Sequence, residues 1–209
     1  MSQSLLSALE QDALKECMNI GASHAATALS QLVQEHVTIL VPDLDLMPVE
    51  RASTAIGKPD EVMSAVVMQM GGDVSGTMLL MFPTQSALDL SSILLKSKTK
   101  STTLGDDENS ALREVGNILS GHALNALSQF LGFRLIQSVP ETSLDMIGAM
   151  MNEILSHYLR EKHKDVLVLS VHFEVSGKEI SGRLFFLFDP QSTRVILDSL
   201  RKKLTIDLG

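Results

Sequence analysis

The sequence predicts an α+β fold in which two related halves, each running helix–strand–hairpin–helix, share one β-sheet flanked by long helices. Three observations carry this prediction. First, Ala13, Leu14, Glu16, Asn19, Ile20, His24, Ala28-Leu29-Ser30-Gln31 and Pro42 all recur 98 residues later, ending at Pro140. A match of that length is an internal duplication, and its period is too long for a solenoid or propeller. Second, apolar residues at three- and four-residue spacing give way in each half to short β-branched runs. Third, each half contains two apolar runs separated by a glycine-bearing break, the mark of a hairpin. The 209 residues are long enough to bury a substantial core as one domain, with halves at about 1–98 and 99–209. Short strands from either half alone could not bury both of their faces, so the halves should pool them.

The elements follow in order. From about Leu5 to Gln34, Leu14, Met18, Gly21, Ala25, Ala28 and Leu32 form an apolar helical stripe, and Ser7-x-x-Glu10 is a capping box at its start. Val37 to Pro42 reads as a strand that the proline ends. Residues 43–60, with Pro42, Pro48, Gly57 and Pro59 in or beside them, read as an irregular connection. Val62–Met70 and Gly76–Phe82 flank Gly71-Gly72-Asp73 as a hairpin, and Pro83 opens a helix to about Leu95. Asp106, Asp107 and Glu108 suit the positive end of a second long helix, to about Leu131. Phe133–Val139 is the matching strand, closed by Pro140. Thr142 to about Glu161 is then a helical insert. Val166–Val175 and Gly182–Phe188 make the second hairpin, and Pro190 starts a last helix to about Lys203. Val74-Ser75-Gly76 aligns with Ile180-Ser181-Gly182 at an offset of 106, so the insert adds eight residues.

Composition narrows the function classes. A net charge of −8 argues against binding a phosphate backbone; Lys96, Lys98 and Lys100 lie in a Ser/Thr-rich stretch that reads as a solvated linker. With Tyr158 and a few Phe as the only aromatics there is no platform for stacking bases, so nucleic acid is not an expected partner. A single cysteine, Cys17, allows no intramolecular disulfide and reads as a buried thiol. No leader-like start and no apolar run of about 18 residues is present, so a cytoplasmic protein without membrane contact is expected.

The repeated polar residues carry the chemistry. On a helix, Asp12, Glu16 and Asn19 fall within a sector roughly 60° wide, as do Ser110, Glu114 and Asn117. One such stripe is an ordinary solvated face. Two in the same register, each followed by a proline at the same distance, point to a paired site. Neither copy holds an activated nucleophile, since Ser110 is Asp12 in the other copy and no base accompanies it. No His/Cys/Asp cluster has metal spacing and no phosphate-binding glycine loop occurs, so no cofactor of its own is expected. His24 and His122 fall about 140° around the helix from the asparagines and are expected to pack between helix and sheet. A carboxamide can hold a water for in-line attack, and a carboxylate can pair with a partner's cation. Against an already activated phosphoryl group, little more is needed.

The pattern Asp/Ser-x3-Glu-x2-Asn-x22-Pro, present twice across essentially the whole chain, resembles the CheC family of chemotaxis phosphatases, relatives of CheX and FliY. The resemblance implies hydrolysis of the aspartyl phosphate of the response regulator CheY. Asn19 and Asn117 would orient the attacking water, Glu16 and Glu114 would anchor the regulator through its lysine, and Asp12 and Ser110 would make supporting contacts. Pro42 and Pro140 would support the site structurally. The Mg²⁺ would belong to the regulator. The family also binds the receptor deamidase CheD, and the resemblance implies a second partner on the 142–161 helix, although a helix with Met146, Met150, Met151, Ile154 and Leu155 is more often core than interface. The competing reading is an adaptor that binds CheD or CheY with little hydrolysis; Glu and Asn present in both copies favour the enzyme. A CheX-like protein would carry one motif and dimerise, and a FliY-like one would add a switch domain. Two motifs in one chain lead us to expect a monomer with two sites.

Overall fold

The computed structural model describes residues 6–97, 101–158 and 165–207. The first half comprises α1 (Ala8–Val33), β1 (Val37–Pro48), α2 (Val49–Ile56), β2 (Val62–Gly72), β3 (Gly76–Pro83) and α3 (Thr84–Leu94). The second comprises α4 (Asp106–Leu131), β4 (Leu135–Gln137), β5 (Glu141–Met146), α5 (Ile147–Tyr158), β6 (Asp165–Val175), β7 (Ile180–Phe188) and α6 (Pro190–Asp207). Lys98 and Lys100, and the end of the predicted 142–161 helix beyond 158, lie outside the described residues.

The seven strands form one antiparallel sheet, in the order β1-β6-β7-β3-β2-β4, with β5 also on β2. Hairpins β2–β3 and β6–β7 meet at its centre, where β3 pairs with β7 from Gly76 opposite Phe188 to Met81 opposite Arg183. The strand after each long helix pairs with the other half's hairpin: β1 with β6, and β4 and β5 with β2. Both faces are covered. Met78, Leu80 and Phe82 of β3 and Leu184, Phe186 and Phe188 of β7 join α1, α3, α4 and α6 in one core. The alternate residues, Leu79, Met81, Phe185 and Leu187, join α2 and α5 in a second. Strands buried on both sides read as unbroken apolar runs, and these do.

Several expectations are corrected. Pro42 does not end its strand, because β1 continues to Pro48 with a register shift between Leu40 and Asp43. Pro140 does not close its strand either; it sits between β4 and β5, which both pair with β2. In each case the strand carries one residue more than its partner, which is a bulge. A proline lacks the donor a ladder needs, and it is tolerated at a bulge on a sheet edge, where both of these lie. The 43–60 stretch is not irregular, since α2 occupies its middle between Pro48 and Gly57. The segment after Pro140 is therefore no isolated insert: it holds β5 and then α5, where the first half has the shorter α2. Each half thus runs helix–strand–helix–hairpin–helix. Met150, Met151 and Leu155 of α5 point into the second core, while Met146 lies on β5 and is exposed.

The capping box holds. Glu10 N–H donates to Ser7 Oγ at 3.3 Å and Ser7 N–H to Glu10 Oε2 at 2.6 Å. Glu10 is buried, and Arg201 Nε of α6 donates to its Oε1 at 2.8 Å, tying the start of α1 to the last helix. Burial pushes this carboxyl up, but the hydrogen bonds from Ser7 and Arg201 together with the Arg201 charge outweigh it, leaving it below its ordinary value of 4.5. A depressed carboxylate stabilises the fold above its unfolded value, and that stability is lost as pH falls through the folded value. Glu10→Gln is expected to lower stability by about 1 kcal/mol at pH 7, discounted because Arg201 is half exposed. Thermal melts should show the gap closing below pH 4.5; an equal gap in acid would remove the charge from this account.

Candidate functional site

The site is built on α1 and α4, both 26 residues long. They end alike, at residues with left-handed backbone, Gln34 (φ 58°) and Gly132 (φ 73°). The repeated serines then fasten each helix end to the chain that follows. Ser30 Oγ accepts from Val37 N–H at 3.0 Å, and Ser128 Oγ donates to the Phe133 carbonyl at the other end.

The two helices pack against one another antiparallel. The start of α1 (Asp12, Ala13, Glu16) lies beside Ala126, Gln129 and Phe130 of α4, and Leu32 near the end of α1 lies beside Ser110, Ala111 and Glu114. Gly21 marks the crossing: a Cβ there would lie 3.0 Å from Ala123 Cα, Ala126 Cβ and the His122 carbonyl oxygen. His24 and His122 meet at the same crossing with ring centroids 6.2 Å apart. They therefore pack on each other between the helices, with His24 exposed, and not between helix and sheet. Antiparallel pairing puts the two motifs at opposite ends of the helix pair, roughly 20 Å apart at 1.5 Å per residue.

The polar stripes lie where the periodicity places them. Asp12, Glu16, Asn19, Ser110 and Glu114 are exposed, and Asn117 is half-buried. Asp12, Glu16 and Asn19 turn outward while Leu14, Cys17, Met18 and Gly21 turn inward, so the same helix presents polar side chains on one face and core on the other. Beside each motif runs a groove. The first, of about 510 Å³, has apolar walls from Leu9, Ala13, Ile20, Phe130 and Leu204, with Asp12 and Glu16 among its lining. The second, of about 410 Å³, is bounded by Leu32, Leu94, Leu95, Ser110 and Glu114. Cys17 lies against the first groove, and burial pushes its thiol up to about 12 despite an opposing pull from Lys203. It is a packing thiol and no nucleophile at neutral pH.

The two asparagines differ in their surroundings. Gln137 Nε2 donates to Asn117 Oδ1 at 3.2 Å, and Gln137 Oε1 accepts from Ser120 Oγ at 2.7 Å. The Asn19 side chain has no hydrogen bond among the described residues; only its carbonyl accepts, from Ser23 Oγ at 2.9 Å. Sequence reasoning missed Gln137 because it is on a different element and has no counterpart in the other copy. Among the described residues no group of three His, Cys, Asp or Glu could hold a metal ion, and no helix is long and apolar enough to cross a membrane.

The model of the CheC-like family matches the chain twice, over residues 9–45 and 108–144, each span holding one motif helix and its proline. The CheY-P phosphatase CheC of Bacillus subtilis is 32% identical over 187 residues, covering 88% of this chain and 90% of that protein. The flagellar motor switch phosphatase FliY of the same organism is 28% identical over 141 residues, 66% of this chain and 36% of FliY. In three dimensions the crystal structure of Thermotoga maritima FliY covers 95% of the chain at a TM-score of 0.75 and 19% identity, so it shares the fold. The motif, doubled on helices that the family model picks out twice, and the identity to CheC along nearly the whole chain lead to one placement: this chain belongs to the CheC-like family.

Proposed function

We propose that the protein hydrolyses the aspartyl phosphate of a CheY-type response regulator and that each motif helix forms one site. In this reading the exposed stripe lies along the regulator's phosphorylated pocket. Asn19 or Asn117 holds a water in line with phosphorus, opposite the aspartyl oxygen. The water attacks, the bond from phosphorus to that oxygen breaks, and orthophosphate leaves the regenerated carboxylate. Glu16 or Glu114 pairs with the regulator's lysine and fixes the approach, while Asp12 or Ser110 adds a contact one turn earlier. Mg²⁺ bound by the regulator would offset charge on the phosphoryl oxygens; the groups contributed by this chain position water and partner. The apolar groove beside each stripe supplies area for a protein partner to cover.

The observation that carries the reading is the pair of matched Glu/Asn stripes at opposite ends of one helix pair, with both glutamates and Asn19 exposed and Asn117 half-buried. The test is the rate of phosphate loss from a phosphorylated CheY with and without the protein. Acceleration at substoichiometric amounts is expected; an unchanged rate, with complex formation still measurable, would turn the reading into that of an adaptor.

A further inference from the structure

We propose that Gln137 is a positioning residue for Asn117, and that its absence from the other copy makes the second site the faster of the two. The inference rests on the phosphatase reading above. Gln137 sits on β4, where its backbone pairs with Met70 of β2. From that fixed strand its side chain reaches α4, donates to Asn117 Oδ1 at 3.2 Å and accepts from Ser120 Oγ at 2.7 Å. Ser120 is fully buried one turn beyond Asn117, and its hydroxyl is also 2.6 Å from the Gly116 carbonyl oxygen. Asn117 is thus gripped by a side chain that is itself gripped, with both anchors on regular elements.

The corresponding positions 98 residues earlier are Ile39 and Ala22. Neither side chain can donate or accept a hydrogen bond. Asn19 is exposed, and its carboxamide has no partner among the described residues. An unrestrained asparagine must be frozen into one rotamer when it takes up the water, at an entropic cost that a prepositioned one has already met. The difference appears in the reactive complex, so it belongs in kcat and leaves KM nearly unchanged. A factor of about five between the sites is expected from freezing one such side chain.

The experiment isolates each site. In an Asn19→Ala background only the second site works, and Gln137→Leu there should lower kcat about fivefold at constant KM. Released from Gln137, the Ser120 hydroxyl can give its single proton to the Gly116 carbonyl oxygen 2.6 Å away, so leucine strands no buried hydroxyl. In an Asn117→Ala background only the first site works, and Ile39→Gln with Ala22→Ser should raise kcat by a similar factor. An unchanged or increased kcat in Gln137→Leu, or a change confined to KM, would overturn the proposal. Should Gln137→Leu fail to fold, the gain in the first site decides, and no gain there counts against it. Full activity in Asn19→Ala/Asn117→Ala would overturn the proposal by removing the asparagines from the mechanism, whereas no acceleration by the unaltered protein would instead overturn the phosphatase reading itself.

Discussion

Replacing Asn19 and Asn117 together by alanine is expected to abolish acceleration of phosphate loss while binding of the regulator persists. Loss of a group that positions or polarises in the transition state costs on the order of 100- to 1,000-fold. With two sites, each single variant should keep the share contributed by the other. The effect must be chemical and not structural, and the burial pattern allows that separation. Asn19 is exposed with no hydrogen bond to its side chain among the described residues, so Asn19→Ala should shift stability by less than about 0.5 kcal/mol. Asn117→Ala gives up the bond from Gln137, which should cost about 1 kcal/mol. A stopped-flow assay of the phosphorylated regulator, paired with thermal melts, reads both. Wild-type turnover in the double variant would remove the asparagines from the mechanism.

The largest effect on stability is expected from Gly21→Leu. The contacts at 3.0 Å around a Cβ there include backbone atoms of Ala123 and His122, which cannot swing away as a side-chain tip can. Leucine would force α1 and α4 apart and strain the core beneath them, at a cost of about 3 kcal/mol. Urea unfolding would show it as a lower midpoint. Gly121→Ala is the control: a Cβ at Gly121 meets nothing within 4 Å, so alanine should stabilise α4 by about 0.5–1 kcal/mol. A harmless leucine at Gly21 would mean the helices have room to separate, and the close crossing would lose its importance.

Much of this molecule was legible in the letters, for physical reasons. The central hairpins announce themselves because strands buried on both faces must be apolar throughout. The two long helices show their inward stripe, and the outward Glu and Asn follow from the same periodicity. Prolines misled. Pro42 reads as a stop because proline would break a central strand, but β1 is an edge strand with a bulge at that point. Whether a strand lies at the edge depends on the whole sheet and not on its neighbours in sequence. Likewise Pro48 and Gly57, read as parts of an irregular connection, are the punctuation around α2, whose Val49, Ala52 and Ile56 are all buried. The Gln137–Asn117 contact spans 20 residues and two elements, so no local pattern could announce it.

The crossed pairing of strands has a consequence for how such a protein can change over generations. The strand after the first motif helix lies on the second half's hairpin, and the strands after the second motif helix lie on the first half's. Neither half owns the scaffold of its own site. On the two-site reading proposed above, a lineage can therefore silence one site by substituting a single motif glutamate or asparagine. It cannot shed the half that carried it, because the surviving site stands on a sheet whose edge the silenced half still completes. Chemistry in this architecture is disposable one copy at a time, while the framework is inherited jointly.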